Sequence, residues 1–150
     1  MSGETSVHGV ALVLGEAGVL IRGPAGSGKT SLALDLIART GADGGFARLV
    51  ADDRVILRER GGRLLARPHP EIAGRAEIRG VGIVEAPYLP EARLRLVVDL
   101  DPRAPRAPDD ADMTTTLENV AIPWLVLQRE IAIMAILRFF GAFFSPLRLE

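Results

Sequence analysis

Eight consecutive residues, Gly23-Pro24-Ala25-Gly26-Ser27-Gly28-Lys29-Thr30, follow the spacing G-x-x-x-x-G-K-[ST], and each residue type has a task in holding polyphosphate. Glycines let the backbone fold its N–H groups around an anion, and a helix that starts at the end of the loop adds partial positive charge. Lys29 supplies a mobile full charge for the β- and γ-phosphates, and the Thr30 hydroxyl is a hard oxygen suited to Mg²⁺. Lys29 is also the only lysine among 18 basic residues; the rest are arginine. A glycine turn that merely caps a helix is the plainer reading of a bare glycine pattern. The added Lys and Thr, with a strand before and a helix after, argue against it.

A triphosphate site also needs an acid at the end of a neighbouring strand, and Leu49-Val50-Ala51-Asp52-Asp53 offers two after an apolar run. One carboxylate would organise magnesium, directly or through water, while the other faces the phosphoryl acceptor. The plainer alternative is a turn that starts at the two acids. Guanine-specific switch GTPases carry N-K-x-D, but the only asparagine, Asn119, is followed by Val120, which excludes that class. Small-metabolite kinases close a basic lid over the donor, and Arg103 to Arg106 is a short, proline-laden candidate for one. Two alternatives to a protein kinase therefore stay open: a small-molecule kinase on the same loop, and a nucleotide-binding regulator without turnover.

Elements must hold these groups in place. Val7 to Leu14 and Val19 to Arg22 read as strands joined by a turn at Gly15-Glu16-Ala17-Gly18, the second feeding the glycine loop. Thr30 to Thr40, with Leu32, Leu34, Leu36 and Ile37 among alanines, reads as a helix that ends at Gly41. Arg48 to Ala51 is a short strand, and Val55 to Arg60 with Arg63 to Arg67 forms a hairpin over Gly61-Gly62. Further strands are expected at Ile83 to Ala86, Arg93 to Leu100 and Ile122 to Leu127, with a last helix from about Arg129 to Phe143. Asp101 to Asp112, with Pro102, Pro105 and Pro108 among acids, reads as an exposed loop. The sum is a strand-rich α/β fold with one strand–loop–helix unit.

The chain has 150 residues, 48% apolar and 25% charged, with a net charge of −1, which fits one globular domain over residues 1–150. No cysteine is present, so disulfides, cysteine zinc sites, iron–sulfur clusters and thiol nucleophiles are excluded. Near-neutral charge without a basic block argues against nucleic acid as a partner. The most apolar stretch, Ile131 to Phe144, is interrupted by Arg138 and too short to cross about 30 Å of bilayer as a helix. It reads as core or subunit interface. Met1 to Gly9 has no leader-peptide pattern, so a cytoplasmic location is expected.

The segment Glu77-Ile78-Arg79-Gly80-Val81-Gly82-Ile83-Val84 resembles the signature of the HPr kinase/phosphorylase family. So do His8-Gly9, the loop from Gly23 to Thr30, and Val50-Ala51-Asp52-Asp53-Arg54-Val55, in the family's order over about residues 7 to 86. The resemblance implies a bifunctional enzyme that phosphorylates a seryl hydroxyl on HPr, the phosphocarrier of the sugar phosphotransferase system, and removes that phosphate by phosphorolysis. It implies ATP as donor, magnesium as cofactor, a core similar to that of phosphoenolpyruvate carboxykinase, and a homo-oligomer, a hexamer in the family. By position, Asp52 matches the acid/base, His8 and Lys29 match other active-site residues, and Thr30 and Glu77 match magnesium ligands, with Asp53 a further candidate. Arg79 could hold Glu77 or a phosphate, and Gly80 and Gly82 would let the backbone pass close to substrate. Without the resemblance His8 reads as a packed strand residue. His69, between two prolines, reads as a loop residue.

Two departures from the family are visible. Longer members carry an extra N-terminal domain, and this chain, whose His8 motif lies near its start, resembles the short catalytic form seen in alphaproteobacteria. After Ile122-Pro123 longer relatives have a basic, glycine-containing loop tied to dephosphorylation, where this chain has Trp124-Leu125-Val126-Leu127. That favours the kinase direction. The family also uses an arginine upstream of that loop, for which Arg103 and Arg106 are the candidates.

Overall fold

The computed structural model describes residues 3–105 and 113–141. Strand β1 (Glu4–Leu14) turns over Gly15-Glu16 into β2 (Ala17–Arg22), and β2 runs through the glycine loop into helix α1 (Lys29–Ala42). The helix forms because Leu32, Ala33 and Leu36 recur at helical spacing, and that stripe is buried against the sheet. It runs one residue beyond the expected start and two beyond the expected end.

One strand, β3 (Ala47–Arg60), replaces the two that the acidic pair was expected to separate. It pairs with β1 along the whole of β1, from Glu4 opposite Arg58 to Leu14 opposite Ala47, with a register shift where Ala11 gives way to Leu12. Asp52 and Asp53 do not end it, because the strand absorbs them. Asp53 takes a left-handed φ of 74° opposite Gly9 without leaving the ladder, and the Asp52 carboxylate is satisfied from neighbouring elements. The reading of the pair as a turn is therefore corrected. β3 then folds over Gly61-Gly62, at φ 61° and 80°, into β4 (Arg63–Pro68), the left-handed pair that a two-residue hairpin turn demands.

A short 3₁₀ turn at Pro70–Ile72 leads to β5 (Arg75–Ile78) and β6 (Gly82–Glu85), which form a separate two-stranded sheet. The long β7 (Ala92–Leu100) returns to the main sheet, followed by β8 (Thr114–Leu117), β9 (Val120–Leu127) and helix α2 (Arg129–Phe139). β5 and β8 were not expected; both are only four residues long. The last helix stops before Phe143, with Gly141 at φ 69° past its end; residues 142–150 and 106–112 lie outside the described residues.

The main sheet has the order β2-β1-β3-β4-β7-β9-β8, and β2 also pairs with β7. Strands β2, β1, β3, β4 and β7 thus close into a ring, with only two residue pairs at the β4–β7 seam. One core cluster lies between the sheet and the helices around Leu12, Ile21, Leu36 and Leu96; the other is enclosed by the curved strands around Leu20, Val50, Leu64 and Val97. β2, β7 and β9 run parallel, so the glycine loop emerges at their shared C-terminal edge, where open α/β sheets bind ligands. Among the described residues no helix is long and apolar enough to cross a membrane.

Candidate active site

The loop between β2 and α1 is built for an anion. Gly26 and Gly28 take φ 80° and 90°, conformations that any other residue would adopt only under strain. No side chain caps the start of α1 and no acid lies in its first turn, so its leading N–H groups stay free of internal partners. The Ser27 hydroxyl oxygen is buried with no hydrogen-bond partner among the described residues. An orphaned polar atom of this kind is costly, and a ligand oxygen seated in the loop is the kind of partner that relieves it.

Lys29 is only 8% exposed, and its ammonium donates to the carbonyls of Gly23 at 2.9 Å and Pro24 at 3.1 Å. Two of its three N–H donors are thus used to hold the base of the loop. Asp52, 7% exposed, joins three elements. Its Oδ1 accepts from the Thr30 hydroxyl at 2.8 Å, and its Oδ2 accepts from the Glu77 backbone N–H at 2.9 Å. Each oxygen keeps a second lone pair for another donor. The Thr30 proton is committed to Asp52, which leaves the threonine lone pairs for a cation.

A cleft of about 630 Å³ opens in front of this arrangement and brings together His8, Lys29, Thr30, Asp52, Asp53 and Glu77. His8 Nδ1 lies 3.3 Å from Asp53 Oδ1, both side chains more than half exposed at the rim. Arg79 reaches across from the β5–β6 hairpin. Its Nη1 lies 3.5 Å from where a Cβ on Gly26 would sit, so the guanidinium covers the loop. Val81 and Ile83 at the hairpin tip are 70% and 71% exposed beside the cleft. Among the described residues no three acidic or histidine side chains converge closely enough to hold a metal unaided. The Thr30 hydroxyl oxygen with the nearby Glu77 carboxylate nonetheless suits a hard cation whose remaining ligands come from a nucleotide.

Sequence reasoning missed Arg129. From the first residue of α2 its Nη2 donates to Ser31 Oγ at 3.3 Å and lies 3.4 Å from Asp35 Oδ2, bringing a second guanidinium to the start of α1. The polar triplet Gln128-Arg129-Glu130 between two apolar runs was the available signal. Arg103 does not line the cleft with Asp52; it lines another on the far side of the loop. Arg106 lies outside the described residues. His69 accepts from the Glu71 N–H in the 3₁₀ turn, in keeping with a loop role.

Residues 1–128 match the HPr serine kinase C-terminal domain. The chain belongs to that family. It is 41% identical over 86 residues to an HPr kinase/phosphorylase of Clostridium tetani, covering 57% of this chain and 26% of the relative. To an HPr kinase/phosphorylase of Limosilactobacillus reuteri it is 35% identical over 131 residues, covering 79% and 39%. The chain therefore spans well under half the length of these curated relatives. A solved structure of the Hpr(Ser) kinase/phosphatase from Coxiella burnetii superimposes with a TM-score of 0.76 at 25% identity, covering 91% of this chain and 93% of that one. The α/β fold is thus shared with HPr(Ser) kinase structures, as the resemblance implied.

Proposed function

We propose that this chain is the catalytic domain of an ATP-dependent protein serine kinase that phosphorylates an HPr-type phosphocarrier and removes the phosphate by phosphorolysis, within a phosphotransferase-system relay. The observation that carries the reading is Asp52: a nearly buried carboxylate bonded to the Thr30 hydroxyl and to the Glu77 amide, at the floor of a cleft beside the glycine loop. The loop would grip the donor phosphates with its amides, Lys29 and Arg79. Thr30 and Glu77 would hold magnesium jointly with the nucleotide, and Asp53, already engaged with His8, would contribute through water. The chemistry magnesium supplies when bound is neutralisation of the β- and γ-phosphate oxygens.

As a seryl oxygen attacks the γ-phosphorus, its O–H proton passes to a free lone pair of Asp52 and the bond to the β-phosphate oxygen breaks, releasing ADP. In the reverse direction an oxygen of inorganic phosphate attacks the seryl phosphate, pyrophosphate forms, and the serine leaves with the proton returned by Asp52. His8, at the rim, would orient the incoming anion. The exposed aliphatic tip at Val81 and Ile83 favours a macromolecular acceptor over a metabolite, since such a lip needs a partner surface to cover it.

With this reading go a P-loop core like that of phosphoenolpyruvate carboxykinase, one domain over residues 1–150, homo-oligomeric assembly as a hexamer, and action in the cytoplasm. The deciding experiment is mass spectrometry of an HPr-type phosphocarrier from the same organism after incubation with this protein, magnesium and ATP. One phosphoserine is expected. Label on a small metabolite instead would point to a small-molecule kinase, and tight ATP binding without transfer to a nucleotide-sensing regulator.

A further inference from the structure

Arginines crowd one outward face of β3, β4 and β7. In the ladder Arg60 stands opposite Arg63, Arg58 opposite Leu65, and Leu65 opposite Arg93. Residues opposite one another, or two apart along a strand, share a face of the sheet, which adds Arg95. The intervening Leu57, Leu64 and Leu94 are buried in the core that the strands enclose, so the arginines point away from it.

Like charges directly opposite one another destabilise a strand pair, and arginine cannot shed its proton to relieve them. The acids close by are already engaged: Glu4 pairs with Arg67, and Glu59 accepts from the Gly62 N–H at 2.7 Å. Among the described residues no carboxylate lies within ion-pair distance of Arg58, Arg60, Arg63, Arg93 or Arg95. The chain as a whole carries a net charge of −1, so the fold concentrates this positive charge locally.

The same face holds a pocket. β4 pairs with β7 only at Ala92 and Arg93, and β9 joins β7 at Val97, so Leu94 to Leu96 are paired with neither strand. The sheet splits there, and a pocket of about 160 Å³ fills the gap, lined by residues 62–64, 93–95 and 120–123. Arg63, Arg93 and Arg95 all stand in its wall. A planar guanidinium matches the oxygens of a phosphoryl group in pairs, and such a group carries about two negative charges near neutral pH. The volume falls below the roughly 300–1,000 Å³ of sites for larger ligands, which selects a phosphoryl group with at most a short carbon chain. Along β3, Arg60 lies about 25 Å from Asp52 at about 3.3 Å per residue, so the pocket is separate from the cleft at the glycine loop.

We propose that the gap between β4, β7 and β9 is a second anion site, which takes inorganic phosphate or the phosphoryl group of a short phosphomonoester between Arg63 on one strand and Arg93 and Arg95 on another. The bound anion neutralises the cluster and ties β4 to β7 across a seam of only two residue pairs.

Calorimetry and thermal unfolding of the whole protein test this, with ADP and magnesium at saturation to fill the glycine loop and with ionic strength held fixed. Inorganic phosphate is added in one arm, glycerol 3-phosphate in another, and chloride serves as the control. A phosphate is expected to bind and to raise Tm where chloride does not, and the tighter of the two identifies the source. Arg63→Gln with Arg95→Gln should weaken that binding about tenfold or more and abolish the rise in Tm. Without phosphate the double variant should unfold at a temperature no lower than the wild type, because repulsion has been relieved. Arg63→Lys with Arg95→Lys, which keeps the charge and loses the planar donors, should bind several-fold more weakly than the wild type. Undiminished binding in the glutamine variant places the phosphate elsewhere and overturns the site. A lower Tm of that variant in phosphate-free buffer, or its failure to fold, gives the arginines a structural task and overturns it too. So does binding of a short DNA duplex with no binding of either phosphate, which makes the face a polyanion surface.

Discussion

The glycine loop and the β5–β6 hairpin face each other across one cleft and are built in opposite ways. The loop leaves a strand whose Val19, Leu20 and Ile21 are fully buried and enters a helix anchored by Leu32 and Leu36. The hairpin consists of two four-residue strands in a sheet of their own, with Ala76 as its buried apolar residue and an exposed tip. One side is a floor formed with the core. The other is a light wall hung on the Glu77 amide at Asp52. Asp52 therefore has two tasks, proton acceptor and hinge post, and changes to it should affect chemistry and wall together. Changes to the loop should affect donor binding first.

The largest effect is expected for Lys29→Ala. Loss of a nearly buried cation that also ties the Gly23 and Pro24 carbonyls should weaken nucleotide binding and lower phosphotransfer by about 10³-fold or more, read by calorimetry and by phosphoserine formation. Unchanged nucleotide affinity would break the view of the loop as a preformed grip.

Asp52→Asn should lower transfer by about 10²- to 10⁴-fold while leaving nucleotide affinity largely intact, since the loop does not depend on this charge. An amide also cannot accept from both Thr30 and the Glu77 N–H through two oxygens. Hydrogen exchange in residues 75–85 should therefore quicken, with the amides of α1 unchanged. Turnover at the wild-type level removes the acid/base role, and unaltered exchange removes the hinge role.

Gly74→Ala probes the wall alone. Gly74 has φ 77°, and an added Cβ would lie 2.9 Å from Tyr88 Cδ1, so the variant should destabilise the hairpin by about 1–3 kcal/mol. The acceptor KM should rise with nucleotide Kd unchanged; a parallel rise in both would show that wall and floor are one unit.

The smallest effect is expected for Val81→Ser with Ile83→Ser, a several-fold rise in acceptor KM with kcat for the bound acceptor preserved. No change in KM would mean that the acceptor docks elsewhere.

Groups adjacent in the chain were readable in advance. The strand–loop–helix unit, the Gly61-Gly62 hairpin and the long β7 are local in origin: apolar period, turn residues and glycines needing positive φ lie within a few positions of one another. β5 and β8 escaped because four residues carry too little periodicity to stand out. The acidic pair was misread as a strand end because Asp has low strand propensity, and only the pairing of β3 with β1 on both sides of the pair overrides that.

The residue types of the cleft, from Lys29 and Thr30 to Asp52, Glu77 and Arg79, were determined by the sequence alone, since loop chemistry and family signature are both written in contiguous segments. Which atoms meet was decided by the tertiary structure: the Thr30 hydroxyl on Asp52, the Glu77 amide on the other carboxylate oxygen, Arg129 at the start of α1, and Trp124 fixed by Asp99 and Arg22. The partners in these contacts lie between 22 and 98 positions apart in the chain. Hydrogen-bond direction and distance depend on how strands and helices pack, and no local pattern encodes that.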